Sequence, residues 1–455
     1  MYEGKILLLA SFIGSGHKKA AEYVELALKE EAPNIEVRLI NFFEFAHPEI
    51  ASAISSLYFK LLHSKPRIWG YLYDPREGKA RIADISGARG LIEGIRIKRA
   101  MECAFDMDTE KKLAGILKDT AEQLEMGELL QMLGARSEVA QKIYNPEADK
   151  IKFPYSLINR KLRLLRTLGS YFFLRMKELI KDYMPQVIVC TQVLPCLFVD
   201  KVKEKEKLGV PLIAILTDFG IHSWWIRPNV NAFIVPSSEI SSTLLKKGIP
   251  QKAIYEYGIP VNRKFSVPKD KIGMRRKLGF KPELFTVLVM GGGTGFIVDF
   301  SRALRMWEKG GLLIQVVVVA GENEELRRDM EELRTKTKIP IFTFGFVDNV
   351  DELMAASDLI ITKPGGLTVS EAMASCLPMV LVRVIQGQEE NNMRFLLSKK
   401  VALDGGNGRR IGPIVMELYR NPQKLDELRR RARGLVYENS AGNTARLILS
   451  YLKTN

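Results

Sequence analysis

Asp358-Leu-Ile-Ile-Thr-Lys-Pro-Gly-Gly-Leu-Thr-Val-Ser-Glu-Ala372 is the stretch whose reading decides the fold. The apolar run Leu359 to Ile361 leads into a loop holding Gly365 and Gly366. A helical pattern starts directly after it, with Thr368 in the first turn and Glu371 in the next. Strand, glycine loop and helix together form the geometry in which unpaired backbone N–H groups and the helix dipole attract phosphate. A diphosphate would rest on the N–H groups of Gly366 to Thr368. Glu371 has two oxygens for the two hydroxyls of a ribose; the plainer alternative is a helix-surface carboxylate favoured by the dipole.

Outward from this stretch, short apolar runs alternate with segments of helical length. They fall at Ile6 to Ala10, Val37 to Phe42, Val187 to Cys190, Leu212 to Leu216, Ala232 to Val235, Thr286 to Met290, Ile314 to Val319, Ile341 to Phe344 and Met379 to Val382. Strands this apolar, separated by helices, predict an α/β chain with parallel sheets covered on both faces. Two more glycine loops follow strands, Gly14-Ser15-Gly16-His17 and Gly291-Gly292-Gly293-Thr294-Gly295. Neither completes a dinucleotide fingerprint, because the third glycine position holds Lys19 in one and Phe296 in the other, and no Gly-Lys-Ser/Thr completes a P-loop. A break at Gly258-Ile259-Pro260 to Pro268 divides the chain into two doubly wound domains, 1–262 and 263–455, with the final helix a candidate to pack back on the first. Glycine loops in both halves predict a ligand held between them at the carboxyl ends of the strands.

The 455 residues, 46% of them hydrophobic, suit two domains of ordinary size. With 27% charged residues and a mean hydropathy of -0.04, the composition is that of a soluble globular protein. The longest apolar run, Leu312 to Ala320 broken by Gln315, is far short of the roughly 20 residues that span a bilayer. The N-terminus has no small-residue cleavage pattern, so the expected location is cytoplasmic. Four cysteines without CxxC spacing predict free core thiols rather than disulfides or a zinc site. The net charge of +15 points to a polyanionic partner: nucleic acid, an anionic membrane or a phosphorylated substrate. Residues from about 76 to 149 carry helical patterns without a convincing strand and read as a helical insertion. Lys150 to Asp182 then sets nine basic residues against Glu178 and Asp182, interleaved with apolar side chains including Tyr171 and Phe172. A basic amphipathic helix of this kind suits an anionic membrane surface, or is the covering helix before the Val187 strand with a solvated basic face.

Several ordered motifs resemble glycosyltransferase family 28, particularly the monogalactosyldiacylglycerol synthases and processive diacylglycerol glucosyltransferases. They are Lys363-Pro-Gly-Gly-Leu-Thr-Val-Ser-Glu-Ala followed by Gly387-Gln388-Glu389-Glu390-Asn391, Met290-Gly-Gly-Gly, Gly345-Phe346-Val347 and Gly258-Ile-Pro-Val. The N-terminal half adds Gly14-Ser-Gly-His-Lys-Lys-Ala-Ala and Thr217-Asp-Phe-Gly-Ile-His-Ser-Trp-Trp-Ile-Arg-Pro. The resemblance covers most of the chain outside the helical insertion. It implies a GT-B fold, a UDP-sugar donor bound mostly by the C-terminal domain and a lipid acceptor bound mostly by the N-terminal one. It places uracil against Phe346 and Val347, diphosphate on Gly292, Gly293, Gly366, Leu367 and Thr368, ribose on Glu371, and the sugar hydroxyls on Gln388 and Glu389. Gly16 and Gly365 lie in the same loops. His17 matches a histidine proposed in the family as catalytic base or acceptor-site residue. Where the family often has an arginine after Gly-Leu/Ile-Pro-Val/Ile, this chain has Asn262, leaving Arg263 or Lys363 to meet the diphosphate.

Displacement of UDP by an alcohol needs a base for the attacking hydroxyl. His17 is the first candidate, and Asp218 is either the second or the group that orients His17. Leaving-group charge falls to helix N-termini and backbone donors, so neither a metal nor any other cofactor is expected. Asp106-Met-Asp108 has the DxD spacing of metal-dependent sugar transferases but lacks the strand such a site needs. Trp224 and Trp225 are the best candidates for contact with a lipid acceptor or the membrane, together with Tyr171 and Phe172. The leading expectation is an inverting, metal-independent transfer of a hexose from a UDP-sugar to a diacylglycerol-type lipid, by a protein peripheral on the inner face of the cell membrane. The alternatives are N-acetylglucosamine transfer to a polyprenyl-diphosphate-linked precursor, a nucleotide-sugar epimerase or NAD-dependent oxidoreductase with Glu44 on a ribose, and a non-catalytic lipid- or nucleic-acid-binding protein.

Overall fold

The computed structural model describes residues 4–11, 15–46, 170–221, 223–291, 300–382 and 388–452. The expected helical insertion, Asp106 and Asp108, residues 150–169 of the basic segment, and Gly14, Gly292 and Gly293 lie outside them. The described residues fall in two compact units, one drawn from 1–39, 186–196 and 211–455, the other from 40–185 and 197–210.

Two six-stranded sheets build the first unit. The first contains β1 (Lys5–Ala10), β2 (Glu36–Asn41, whose last two residues count with the other unit), β3 (Val187–Cys190), β4 (Leu212–Ile215), β5 (Ala232–Val235) and β6 (Ile254–Glu256). Their order is β2-β1-β3-β4-β5-β6, and every pair from β1 to β6 is parallel. The second sheet holds β7 (Phe285–Met290), β8 (Ile314–Val319), β9 (Ile341–Phe344), β10 (Leu359–Thr362), β11 (Met379–Val382) and β12 (Ala402–Gly406). It is parallel throughout, in the order β12-β11-β10-β7-β8-β9. The α/β class and the doubly wound topology are those that the apolar runs predicted.

Strand order fixes where a ligand can bind. In the second sheet the chain winds from β7 out to β9 and then crosses back to start again at β10. The carboxyl ends of β7 and β10 therefore border the switch point, which is where open α/β sheets form their crevice. In the first sheet the corresponding point lies between β1 and β3.

The second sheet is held from both faces. Alternate residues of β7 divide between two apolar clusters. Leu288 and Met290 join Leu8, Val189, Ile213, Val24 and Leu449 in one, and Val287 and Val289 join Val316, Val318 and Trp307 in the other. The first cluster includes strands of both sheets. Trp307 is fully buried and donates its indole N–H to the Gly412 carbonyl at 3.1 Å, satisfying its one polar atom.

The second unit packs helix Phe42–Ala46, helical residues 170–183 and the part of helix Val193–Glu206 from Leu197 onward. Among its described residues Phe42, Phe172 and Phe198 form one aromatic cluster, with ring centroids 4.9 to 5.5 Å apart. Residues 172, 173, 176, 179, 180 and 183 are buried, at helical spacing, while Leu174 and Lys181 are exposed.

An ion cluster fixes the start of β10. Asp358 Oδ2 accepts the Thr286 N–H at 2.8 Å and pairs with the Arg275 guanidinium, while Oδ1 pairs with Lys271 at 2.8 Å. Arg275 is buried and donates besides to the carbonyls of Ala356 and Pro282. Removing one partner of a buried pair leaves the other charge uncompensated. Asp358→Ala is therefore expected to destabilise the protein by about 3 kcal/mol or more. A urea melt checks this; a midpoint within error of the wild type would contradict it.

Candidate active site

His17 stands in the first turn of helix Ser15–Glu31, just beyond the carboxyl end of β1. Its Nδ1 lies 2.9 Å from the Thr191 carbonyl oxygen and 2.7 Å from Thr217 Oγ1, and the Thr191 hydroxyl donates to the His17 carbonyl at 3.0 Å. A carbonyl only accepts, so Nδ1 carries the hydrogen and, in the neutral ring, Nε2 is left as the basic nitrogen. Burial lowers the His17 pKa to about 4, against the opposing effect of the Thr191 hydrogen bond. At neutral pH the ring is therefore uncharged, with Nε2 bare of hydrogen.

Asp218 follows β4. Its Oδ2 accepts from Gln388 Nε2 at 3.0 Å and its Oδ1 from Asn392 Nδ2 at 2.9 Å. The same Asn392 amide group donates to the Pro364 carbonyl at 2.9 Å, and its Oδ1 accepts the Phe219 N–H at 2.7 Å. Burial raises the Asp218 pKa to about 7; the Asn392 hydrogen bond opposes this and the Glu389 charge reinforces it. Both Asp218 oxygens thus face amides, while Thr191 and Thr217, rather than Asp218, hold His17 Nδ1. Beside them Lys363 Nζ pairs with Glu389 Oε1 at 3.1 Å.

Helix Gly366–Ala374 begins against this group. A Cβ on Gly366 would overlap the Thr217 carbonyl oxygen, so only glycine allows the close approach of the loop after β4 to this helix. Glu371, 5% exposed, accepts at Oε1 from the Tyr23 hydroxyl at 2.7 Å. Burial raises its pKa to about 7, with the Tyr23 hydrogen bond and the charges of Lys19 and Lys264 pulling the other way.

The structure thus brings together His17, Asp218, Lys363, Gly366, Gln388 and Glu389, with Glu371 one turn along the Gly366–Ala374 helix. Other expected residues stand apart or differ in exposure. Phe346 is 70% exposed, while Val347 is half-buried against the core. Arg263 is exposed on a short turn that Asn262 caps by accepting the Lys264 N–H at 2.9 Å, so the asparagine in the usual arginine position has a structural task here. Trp225 is buried and Trp224 half-buried; Phe172 lies in the aromatic cluster of the second unit, with half-buried Tyr171 beside it. Tyr23, Thr191, Thr217 and Asn392 were not anticipated. Thr217 stands next to Asp218 in the quoted motif. Tyr23 shares a helix face with Ala20, Val24 and Ala27, where a buried phenol needs a hydrogen-bond partner. Among the described residues, no helix is long and apolar enough to cross a membrane, and no three His, Cys, Asp or Glu side chains cluster as metal ligands.

Likeness to solved structures agrees with this architecture. The UDP-GlcNAc 2-epimerase from Neisseria meningitidis, bound to UDP-GlcNAc, superposes with a TM-score of 0.51 at 13% identity, covering 98% of this chain and 100% of that one. MurG of Acinetobacter baumannii gives 0.50 at 13% identity, covering 99% and 100%. These likenesses establish the GT-B fold. At the level of sequence, residues 99–261 match the Monogalactosyldiacylglycerol (MGDG) synthase family and residues 286–404 match the Glycosyltransferase family 28 C-terminal domain. A protein named Processive diacylglycerol beta-glucosyltransferase from Bacillus licheniformis is 27% identical over 314 residues, covering 67% of this chain and 80% of the relative. One of the same name from Bacillus mycoides is 28% identical over 276 residues, covering 61% and 70%. One polypeptide thus matches both the monogalactosyldiacylglycerol synthase family and the family 28 C-terminal domain, the resemblance its motifs carried.

Two raised carboxyl pKa values make stability depend on pH. Between their unfolded values near 4 and their folded values of about 7, Asp218 and Glu371 keep their protons when folded and release them on unfolding. Stability from these groups is therefore full below about pH 4 and is lost as pH rises through 7, at up to about 1.4 kcal/mol per pH unit for each. Asp218→Asn removes one of the two, so its unfolding free energy should fall less steeply between pH 5 and 7 than that of the wild type. Parallel slopes in urea melts would refute the assignment.

Proposed function

We propose that this chain transfers a hexose from a UDP-sugar to a diacylglycerol-type membrane lipid by an inverting, metal-independent displacement. The observation that carries the reading is the neutral His17, its Nδ1 hydrogen fixed on Thr191 and Nε2 basic, beside the groups that resemble a UDP-sugar site. The domain matches and the names of the relatives support the substrate classes.

In this reading His17 Nε2 takes the proton of the lipid hydroxyl as its oxygen attacks the anomeric carbon. The bond from that carbon to the UDP oxygen breaks in the same displacement, and the electron pair leaves with the diphosphate. The N–H groups of Gly366, Leu367 and Thr368 receive the developing charge at the helix N-terminus, with either Lys363 or Arg263, and the glycine loop of Gly292 and Gly293, contributing. Glu371 holds the ribose, Phe346 and Val347 the uracil, and Gln388 and Glu389 the sugar hydroxyls. Asp218 fixes Gln388 through their 3.0 Å hydrogen bond, and Lys363 fixes Glu389. The acceptor side includes Trp224 and Trp225. The net charge of +15 far exceeds what one diphosphate requires and suits an anionic membrane face on the cytoplasmic side.

Labelled UDP-sugars incubated with diacylglycerol vesicles in the presence of a chelator test this reading. The wild type should form a labelled lipid, and His17→Ala should lower kcat by roughly 10²- to 10⁴-fold while leaving UDP binding nearly unchanged. UDP-sugar turnover without a lipid acceptor, or full activity of His17→Ala, would refute it.

A further inference from the structure

We propose that Tyr23 is a positioning residue, whose hydroxyl holds Glu371 in the orientation that receives the ribose of a uridine diphosphate. This rests on the function proposed above and adds to it a residue from the opposite half of the chain.

The geometry fixes both partners. Tyr23 lies on helix Ser15–Glu31 and is 4% exposed, its hydroxyl donating to Glu371 Oε1 at 2.7 Å, the length expected of a bond to a carboxylate. Phe265 meets its ring edge-on at 6.1 Å, and Lys19 Nζ stands 5.7 Å from its centre, so the phenol has little freedom to turn away. Tyr23 holds only one carboxylate oxygen. Oε2 has no hydrogen-bond partner among the described residues, which leaves it to a ribose hydroxyl. The bond therefore orients the carboxylate without using all of its accepting capacity.

The same bond favours the ionised form of Glu371. Burial favours the protonated acid, and the Tyr23 hydroxyl, Lys19 and Lys264 oppose it. Lys19 is itself paired with Glu22 at 2.9 Å. The remaining charge facing the site is Asp351, which favours protonation and is itself neutralised by Lys264 at 2.7 Å and Lys269 at 3.2 Å. Tyr23 cannot lose its own proton in the working range, because burial and Glu371 push its pKa far up. Deleting the hydroxyl removes a bond to the ionised form, so Glu371 must take up its proton at higher pH. A protonated acid is the poorer acceptor for two ribose hydroxyls.

Calorimetric titration of the full chain with UDP, from pH 6 to 9, decides the matter. For the wild type, affinity should rise with pH through a midpoint near 7. Tyr23→Phe should move that midpoint up by about one unit, weakening UDP binding roughly fivefold to tenfold at pH 7 and less than twofold at pH 9. Glu371→Gln cannot ionise and should keep only the pH dependence that Asp218 and the terminal phosphate of UDP impart, without the part that Tyr23→Phe moves. Adding Tyr23→Phe to Glu371→Gln should change UDP affinity by less than twofold. A merely structural tyrosine would weaken binding equally at every pH. An unmoved midpoint in Tyr23→Phe, or an undiminished effect in the Glu371→Gln background, would therefore overturn the role of Tyr23 while leaving the proposed function standing. Absence of UDP binding by the wild type would overturn both. A thermal melt of Tyr23→Phe, which keeps the ring against Phe265, verifies that the variant is folded.

Discussion

Asn392 is fully buried, and each end of its amide is engaged. Its oxygen takes the Phe219 N–H, and its nitrogen donates to Asp218 and to the Pro364 carbonyl. One side chain thereby joins the loop after β4, the loop after β10 and helix Gln388–Ser398. Only an amide offers both a donor and an acceptor in this arrangement: a leucine would orphan the buried Phe219 N–H, and an aspartate would face Asp218 with a second carboxyl. The stacked rings of Phe219 and Phe395, 4.4 Å apart, reinforce the same junction. Gly366 completes it by letting the Thr217 carbonyl approach where any side chain would collide. The placing of His17, Asp218, Gln388 and Lys363 depends on this junction.

Much of this was legible in the sequence because of a simple constraint. A strand covered on both faces must be apolar along its whole length, so β1, β3, β8 and β11 stand out against their polar surroundings. Two strands escaped that signal. β6 has three residues, Ile254-Tyr-Glu256, and β12 reads Ala402-Leu-Asp-Gly-Gly406; both are edge strands, where one side of the ladder is open and an apolar run is not required. The site divides in the same way. Glycine loops, His17 and Glu371 announce themselves locally, because phosphate binding and proton transfer need particular residue types in a row. Tyr23, Thr191 and Asn392 meet their partners across 348, 174 and 174 residues of chain, and their function lies in that meeting rather than in any local pattern. Asn262 shows the converse, since its place in the family motif suggested a missing phosphate contact, whereas its side chain caps a turn.

Electrostatics in the site runs against the charge of the whole. The chain is strongly basic, yet the buried groups at the centre are carboxyls that burial drives toward their protonated forms and a histidine that burial drives toward neutrality. Such a centre carries less charge at neutral pH than its residue types imply and so is less costly to desolvate. Many surface lysines and arginines pair with carboxylates three or four residues away, as in Lys29 with Glu25 and Arg327 with Glu324. Exposed pairs of this kind contribute little to stability, so the excess of basic residues is not demanded by the fold.

The anomeric configuration of the lipid product tests the central claim most directly. UDP-glucose and UDP-galactose carry α-linked sugars, and a single displacement assisted by His17 must invert the reacting carbon. Proton coupling constants of the isolated glycolipid should therefore report a β-linked sugar on the diacylglycerol hydroxyl. An α-linked product, or the absence of any glycosylated lipid, would contradict it.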